Sequence, residues 1–431
     1  MLNTKGRKLK DLGFFYPSVG VSFIPTKAFP NLSGQVLHKL KISGGIVKVG
    51  NASAIGAHRL SETGVQAGGF PFAGLNSFVL PAATADQTIE PEFVNTTEFN
   101  VNMEFLKRKG IPRLTLDLAT SFTKNTNQIL NTSVSSTTGV TNALINIGET
   151  KSNALELDLG FTPIKTKDFE FNGSVSYSTY KTEVVKVTDL SDRIQLRGLG
   201  SVGTWAVEGE EFPLIQGTAY ERDDQGRVVL DSGGLPKIAP GIKTLGKVTP
   251  DYILNFGAEF KYKNLKLSAT ADYRTGHQFY SNIYNNLTTF GRSVITAENG
   301  RGHFIYPNST VEGSGVTNTT VLTGPSFGSG NPYQDYQEFI NQNFVEADEN
   351  FVLDATAFKL REVSLTYDLP SKLLNKSFIN GVNIGISGRN LLTVLPKENR
   401  GYNDPEIGTG LGNYSQTPPT RTYSMSVNLK F

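Results

Sequence analysis

The side chains that could do chemistry in this sequence are mostly carboxylates. Seven of them occupy the polar positions of alternating segments: Glu98, Glu104, Asp117, Glu156, Asp158, Glu259 and Asp272. Two carboxylates held close together can divide acid and base roles between them. These seven recur along the chain instead of forming one pair, so we interpret them as the hydrated lining of a lumen.

One glycine-rich segment has the spacing of a dinucleotide-binding fingerprint, Gly198-Leu-Gly200-Ser-Val-Gly203. That motif binds a pyrophosphate only when a strand precedes it and a helix follows it. The residues that follow, Thr204 to Gly209, predict no helix. We interpret the match as chance in a chain with 44 glycines.

Metal-binding patterns are equally weak. Asp223-Asp224-Gln-Gly226 resembles part of a calcium loop, but the spaced acidic ligands and the distal Glu are missing, so a hairpin turn is the better interpretation. The four histidines lack paired or HExxH spacing: His38, His58, His277 and His303. No cysteine occurs, which excludes thiolate chemistry. We therefore expect no enzyme activity, no cofactor and no metal, and the sequence identifies no substrate-binding residue.

Composition limits the remaining classes of protein. The chain has 431 residues, a formal net charge of +2 and a mean hydropathy of −0.23. Such a balance gives no argument for a nucleic-acid partner. No apolar run reaches the roughly 18 residues of a transmembrane helix. The strands of a membrane barrel are only half apolar, so composition does not exclude that fold.

The elements that must position these side chains are strands. Thr422 to Phe431 alternates polar and apolar residues up to its final aromatic. Period-two alternation predicts a strand with one apolar and one polar face. The pattern recurs at about 17–23, 40–46, 99–105, 114–122, 155–161, 169–177, 252–260, 265–273, 358–369, 382–386 and 422–431. The sequence thus predicts about eleven strands of a length that crosses a tilted bilayer.

The phase of the alternation changes within one strand. Phe358 and Leu360 are apolar on even positions, whereas Val363 begins an apolar series on odd positions. One extra residue near Arg361 would produce this shift, and a β-bulge is the usual way to insert it.

The connections fall into two classes that alternate along the chain. The short ones are Pro25–Gln35, Lys107–Pro112, Thr162–Lys167, Lys261–Asn264 and Pro370–Gly381, the last with a helical turn at Ser371 to Phe378. The long ones are Asn51–Asn95, Asn125–Glu149, Val185–Thr249, His277–Asp354 and Thr393–Thr420. Membrane barrels keep short turns on the periplasmic side and long loops outside. This asymmetry favours a transmembrane β-barrel over a soluble sandwich.

The long loops are rich in Gly, Asn, Ser, Thr and Tyr. Such loops are either mobile and solvent-exposed or a surface for polar ligands. Within the loop Val185–Thr249, the segment Gly226 to Asp231 predicts one half of a small hairpin outside the membrane.

The last third carries the most specific motifs. Phe358-Lys-Leu-Arg361-Glu362-Val-Ser-Leu-Thr-Tyr367-Asp-Leu-Pro370 precedes Gly388-Arg389-Asn390-Leu391, Gly401-Tyr-Asn403-Asp404-Pro405-Glu406 and Pro419-Thr-Arg421-Thr-Tyr423. Upstream come Tyr16-Pro17-Ser18-Val19, Leu40-Lys-Ile-Ser, Val49-Gly50-Asn51, Glu90-Pro-Glu92, Val207-Glu208-Gly209-Glu210, Tyr220 to Gly226 and Gly234-Leu-Pro236. In this order they resemble the C-terminal barrel part of SusC/RagA-like TonB-dependent outer-membrane transporters.

The resemblance extends over nearly the whole chain and implies an all-β, antiparallel transmembrane barrel portion with long extracellular loops in the cell outer membrane. It implies nutrient uptake of a glycan or a peptide, with a SusD-like surface lipoprotein as lid. Coupling to TonB would use an N-terminal part. Met1 to Asp11 is basic without the apolar region of a signal peptide. We expect residues 1–431 to be one C-terminal barrel domain, with signal peptide, plug and early strands absent.

Two other functions stay open at this point. A passive pore or structural barrel component would have the same strands without energy coupling. A soluble all-β glycan-binding module would use the alternation in a sandwich and would leave membranes without detergent.

Overall fold

The computed structural model describes residues 15–51, 64–72, 75–79, 83–85, 89–108, 111–133, 137, 139–188, 191–299, 302–323, 332–375, 378–406, 410–412 and 417–431. Within them, the dominant element is one large sheet, called the wall below, in which eleven strands follow each other side by side in chain order. They are β1 Ser18–Phe23, β2 Leu37–Asn51, β3 Glu92–Phe105, β4 Leu114–Ser133, β5 Asn142–Lys165, β6 Phe169–Lys186, β7 Tyr252–Tyr262, β8 Leu265–Thr275, β9 Ala357–Asp368, β10 Gly381–Val394 and β11 Thr422–Lys430.

Every neighbouring pair on this path is antiparallel. The count of eleven and the up-and-down order confirm the sequence prediction. A short strand, Ala83–Ala85, lies off the path and pairs with β5 in parallel.

The register aligns the alternation of one strand with that of the next. One row across the wall is apolar and runs through Met103, Leu116, Leu159, Val175 and Phe256. The adjacent row is polar and runs through Asn102, Asp117, Asp158, Ser176, Asn255 and Asp272. Since side chains alternate between the faces of a strand, the wall has one apolar face and one polar face. The apolar face is suited to lipid and the polar face to a lumen.

The wall does not close on itself within the described chain. β1 pairs with β2 alone, and β11 pairs with β10 alone. All residues of both edge strands are exposed. Within the residues that the structure describes, the wall is therefore an open antiparallel sheet.

The bulge predicted near Arg361 is confirmed. Facing β8, Leu360 pairs with Ala271 and Glu362 pairs with Thr270, which leaves Arg361 without a partner in that ladder. The ladder with β10 skips Arg361 as well. The phase of the alternation changes at this residue.

The α-helices are short: α1 Pro25–Ala28, α2 Asn282–Thr289, α3 Pro332–Glu338 and α4 Ser371–Leu374. The 3-10 turns are Pro30–Leu32, Val294–Ala297, Asp348–Phe351 and Lys397–Asn399, and Phe339–Phe344 is a π-helix. Among the helices of the described chain, none combines the length and apolar character needed to cross a membrane. α4 confirms the helical turn predicted after Pro370.

Short and long connections alternate between the wall strands, as predicted, with one correction. The predicted loop Asn125–Glu149 is largely paired backbone, because β4 and β5 continue together from Thr126 opposite Glu149 to Ser133 opposite Asn142. Apolar residues stand next to each other in this stretch, at Ile129-Leu130 and at Ala143-Leu144-Ile145, so the period-two signal is lost there. The strands therefore extend beyond the sequence pattern, and Ile129 and Leu144 of this extension are buried with Ile89 in a small apolar cluster.

The other long connections contain small sheets. Arg193–Leu199, Val202–Val207, Leu214–Gly217 and Lys243–Lys247 form four strands in order. Val228–Leu230 pairs in parallel with Ser309–Val311. Val352–Asp354, Gln278–Ser281 and Leu411–Gly412 form a third sheet, and Val65–Phe72 pairs with Leu75–Val79.

We refer to residues 187–251, 276–356 and 395–421 together as the loop layer. Its segments share apolar cores: Val202, Ile215, Tyr280, Phe351 and Leu411 form one buried cluster with members from all three connections. A second cluster is formed by Leu322, Tyr336, Phe339 and Ile340. Burial of this apolar surface stabilises a packed layer at one end of the wall.

Candidate functional site on the lumen face and in the loop layer

The seven predicted acidic residues all occupy the polar face, spread over five strands. Several are neutralised locally: Lys39 contacts Glu104 at 2.9 Å, and Lys266 contacts Glu259 at 2.6 Å. Asp117 lies opposite Asp158 and accepts a hydrogen bond of 2.7 Å from the side chain of Asn102. This distribution fits a hydrated lining better than a single acid–base pair.

One group of charges stands apart from that lining, and we call it the charge cluster: Asp272, Arg274, Lys359, Arg361, Asp404 and Glu406. Asp272 and Arg274 come from the end of β8, and Lys359 and Arg361 come from β9. Asp404 and Glu406 belong to the connection between β10 and β11. The cluster therefore ties a loop to the lumen face of the wall.

The contacts in the charge cluster are short and numerous. Nζ of Lys359 lies 2.6 Å from Oδ1 of Asp404 and 2.8 Å from Oε2 of Glu406. Arg274 Nη2 lies 2.8 Å from Glu406 Oε1. Arg361 contacts both Asp272 and Glu406. Lys359, Asp404 and Asp272 are buried, and buried charges of this kind are stable only when paired.

The electrostatics of Glu406 follow from its partners. Burial by itself raises the pKa of a carboxyl, but hydrogen bonds from Arg361 and Lys359 outweigh burial and lower the pKa of Glu406 to about 2. Glu406 is therefore an anion at any physiological pH.

A cleft of about 340 Å³ adjoins the charge cluster and is lined by Tyr180, Phe279, His277, Arg274 and Glu406, among others. His277 is buried, and burial together with the cation of Arg274 lowers the pKa of His277 to about 4. His277 is therefore neutral near pH 7. Its Nδ1 and the Nε of Arg274 have no hydrogen-bond partner among the described residues.

The sequence offered only a partial signal for this site. Asp272 was assigned to the polar lining, and Lys359, Arg361, Asp404 and Glu406 stood in motifs that carry the family resemblance. Nothing in their spacing showed that they meet, because 89 residues separate Arg361 from Asp272 and 45 residues separate Arg361 from Glu406.

The glycine motif at Gly198 is a hairpin, as expected from the missing helix. Arg193–Leu199 and Val202–Val207 pair with each other, and Gly200 at the turn has φ of +68°. No phosphate-binding helix follows in this described segment.

The segment at Asp223 is a turn, which agrees with the sequence interpretation. Asp223 donates its backbone N–H to the carbonyl of Arg227, and Arg227 donates from Nε and Nη2 to its carboxylate over 2.8 and 2.6 Å. These hydrogen bonds lower the pKa of Asp223. Val228–Leu230 follows and also bridges Arg222 and Pro236, so the predicted half-hairpin is the middle of a small meander.

The histidines are not brought together. His38 Nε2 lies 2.8 Å from the ammonium of Lys107, His277 lines the cleft, and His303 is exposed elsewhere in the loop layer. His58 lies outside the described residues. Among the part of the chain that the structure describes, no group of three His, Asp or Glu side chains could hold a metal ion.

Comparison with known proteins agrees with this geometry. A model of the outer membrane protein beta-barrel family matches residues 83–197. "TonB-dependent receptor P26" of Formosa agariphila is 22% identical over 450 residues, covering 97% of this chain and 42% of the relative. "TonB-dependent receptor P3" of the same organism is 24% identical over 327 residues, covering 68% of this chain and 30% of the relative.

A solved structure described as "Structure of the RagAB peptide transporter" has the same fold, with a TM-score of 0.72 at 19% identity. The match covers 96% of this chain and 43% of that chain. The same importer in an "open-open" state gives a TM-score of 0.67. The chain spans less than half the length of these relatives. The predictions of an outer-membrane β-barrel and of outer-membrane localisation are confirmed, and a soluble sandwich module is not supported.

Proposed function

We propose that this chain, which is a SusC/RagA-like outer-membrane β-barrel segment, forms the wall, polar lumen and outer loops of a TonB-dependent nutrient importer. The observation that carries the proposal is the two-faced wall of eleven strands with a folded loop layer at one end, a fold shared with a solved importer. No covalent chemistry is assigned to it. The expectation that the protein is no enzyme is supported by the transporter and receptor names of the relatives.

The wall and the loop layer would have different tasks. The polar face supplies a hydrated path, since it presents a continuous row of Asn, Asp and Ser side chains across the wall strands. The loop layer would contact the incoming solute outside the cell, because its clefts lie among packed segments. The solute would be a glycan or a peptide.

Two protein partners are part of the proposal. A SusD-like surface lipoprotein would cover the loop layer, where apolar side chains such as Phe290, Val294 and Val316 are exposed. TonB would act through an N-terminal part, as implied by the TonB-dependent relatives. The lipid bilayer would contact the apolar face of the wall.

Energy coupling is the property that separates this proposal from a passive pore. Uptake of a labelled oligosaccharide or peptide would be measured in cells with and without this protein, each with and without a functional TonB complex. An importer gives uptake that needs both. Uptake that persists without TonB and admits unrelated solutes would identify a passive pore instead.

A further inference from the structure

A larger cleft, called the α2 cleft here, lies wholly within the loop layer. Its volume is about 560 Å³, within the range of roughly 300–1,000 Å³ typical of small-molecule sites. The walls come from the end of α2, the turn at 290–291, Thr296 and Ala297 at the end of a 3-10 turn, and the helices that begin with α3. It is separate from the charge cluster and from the cleft at His277.

The lining of the α2 cleft carries no charge. Its polar groups are four hydroxyls and two side-chain amides, from Thr288, Thr289, Thr296, Tyr336, Gln337 and Asn341. The hydroxyl of Tyr336 donates a hydrogen bond of 2.8 Å to the carbonyl oxygen of Ile295. Burial raises the pKa of Tyr336, so the phenol stays neutral. A bound carboxylate, phosphate or ammonium group would meet no opposite charge here, and an unpaired charge is costly to desolvate.

Two side chains of the α2 cleft are unusual: one is a buried hydroxyl without a hydrogen bond, and the other is an exposed aromatic ring. Thr288 is fully buried, and its Oγ1 has no hydrogen-bond partner among the described residues. A buried polar atom without a partner is costly, but this hydroxyl has no accessible surface and is therefore not counted among the groups that a ligand would reach. Phe290 lines the cleft and is 73% exposed, so a large aromatic face is open to a ligand.

The α2 cleft is held in shape by its surroundings. Ser281 caps α2 by accepting a hydrogen bond from the backbone N–H of Tyr284. Tyr284 stacks on Tyr402 with ring centroids 4.4 Å apart. On the opposite wall, Tyr336 packs in the buried cluster with Phe339. A site built in this way binds without a large cost of ordering.

We propose that the α2 cleft binds an uncharged polyhydroxylated ligand, a segment of a neutral oligosaccharide, with one sugar ring stacked on Phe290. The hydroxyl and amide groups of the lining then match the donors and acceptors of the sugar. This inference deepens the import function proposed above, and its biological meaning rests on that function.

The test uses the protein purified in detergent from outer membranes and isothermal titration calorimetry. The probes are neutral hexasaccharides of glucose, mannose, xylose and galactose, with hexagalacturonic acid and acetyl-trialanine amide for comparison. At least one neutral hexasaccharide binds, and the acidic sugar and the blocked peptide do not. Phe290→Ala and Gln337→Ala each weaken that binding by about tenfold. Val294→Ala is the matched control, because Val294 is equally exposed on the same segment but does not line the cleft.

Different experimental results would overturn different parts of the proposal. Absence of binding by every neutral hexasaccharide, or binding that Phe290→Ala leaves unchanged, overturns the assignment of the α2 cleft. Binding of the blocked peptide that depends on Phe290 overturns the sugar assignment as well. TonB-dependent uptake in the same cells is measured separately, so a protein that imports without saccharide binding at this cleft rejects the inference and retains the proposed function.

Discussion

The guanidinium of Arg361 makes a bidentate pair with the carboxylate of Glu406, in which Nη1 donates to Oε2 over 2.7 Å and Nη2 donates to Oε1. Arg361 is the bulge residue of β9, and Glu406 lies in the connection that leads to β11. The bulge places Arg361 toward the lumen beside Glu362, which pairs with Arg389 on the same face. A bidentate pair of this kind fixes direction as well as distance, so the bulge positions the loop.

Removing the charge of Glu406 is expected to loosen this loop. Glu406→Gln takes the shared anion from Lys359, Arg361 and Arg274 and should weaken docking by about 1.5–3 kcal/mol, the range for hydrogen bonds to charged groups. Hydrogen exchange of residues 395–406 measures the effect. Glu398→Gln, an exposed acid in the same connection, is the control. Equal exchange in the two variants would show that the charge cluster does not hold the loop.

Acid should release the same contact in a defined window. The pKa of Glu406 is lowered from 4.5 to about 2 in the folded protein. A lowered carboxyl pKa contributes stability that is fully present above about pH 4.5 and is lost as pH falls toward about 2. Exchange of the loop, corrected for intrinsic rates, should therefore rise only below pH 4.5. In Glu406→Gln this acid-dependent step should be missing, and an unchanged step there would assign it to another group.

The two faces of the wall predict opposite responses to a charge. Leu116 lies in the apolar row between Met103 and Leu159, and Thr115 is its neighbour on the polar face. Leu116→Arg should cost about 2–4 kcal/mol if the residue meets the bilayer midplane, and Thr115→Arg should cost much less. Folding into liposomes under urea titration gives both values. Similar losses in the two variants would mean that the faces are wrongly assigned.

The loop layer is predicted to lie outside the cell. A protease site inserted at the exposed turn Asp224–Gln225 should be cut when protease is added to intact cells. The same site inserted at Lys263–Asn264, the tight turn between β7 and β8, should be cut only after the outer membrane is opened. The reversed pattern would invert the topology.

The open edges predict that residues 1–431 alone do not form a stable monomeric barrel. β1 and β11 run the same way at the two ends of an antiparallel path, so joining them would need a parallel pair. Left unpaired in hydrocarbon, each N–H and C=O group costs several kcal/mol. Residues 1–431 refolded in detergent should migrate on an unheated gel without a protected, heat-modifiable band. A protease-resistant monomer with channel activity would refute this.

The strands of the wall could be predicted from the local alternation of polar and apolar residues. The side chains of a strand alternate with a period of two, so the residues at 114–122 or 422–431 show their faces without any neighbour. The bulge at Arg361 could be predicted in the same way, since one inserted residue shifts the phase of the alternation in the rest of the strand. The turns at Gly200 and Asp223 could also be predicted from the sequence, because the conformation of a turn depends on a few adjacent residues.

The tertiary structure alone decided the rest. The paired extension of β4 and β5 beyond Thr126 shows no period-two alternation, and its buried Ile129 and Leu144 pack with Ile89 of another connection, so local patterning did not predict it. The charge cluster joins residues from β8, β9 and a loop, and the α2 cleft joins α2 with segments some 40 or more residues away. Contacts between residues so far apart in the chain leave no periodic trace in the sequence, because they depend on how neighbouring strands and loops pack in space.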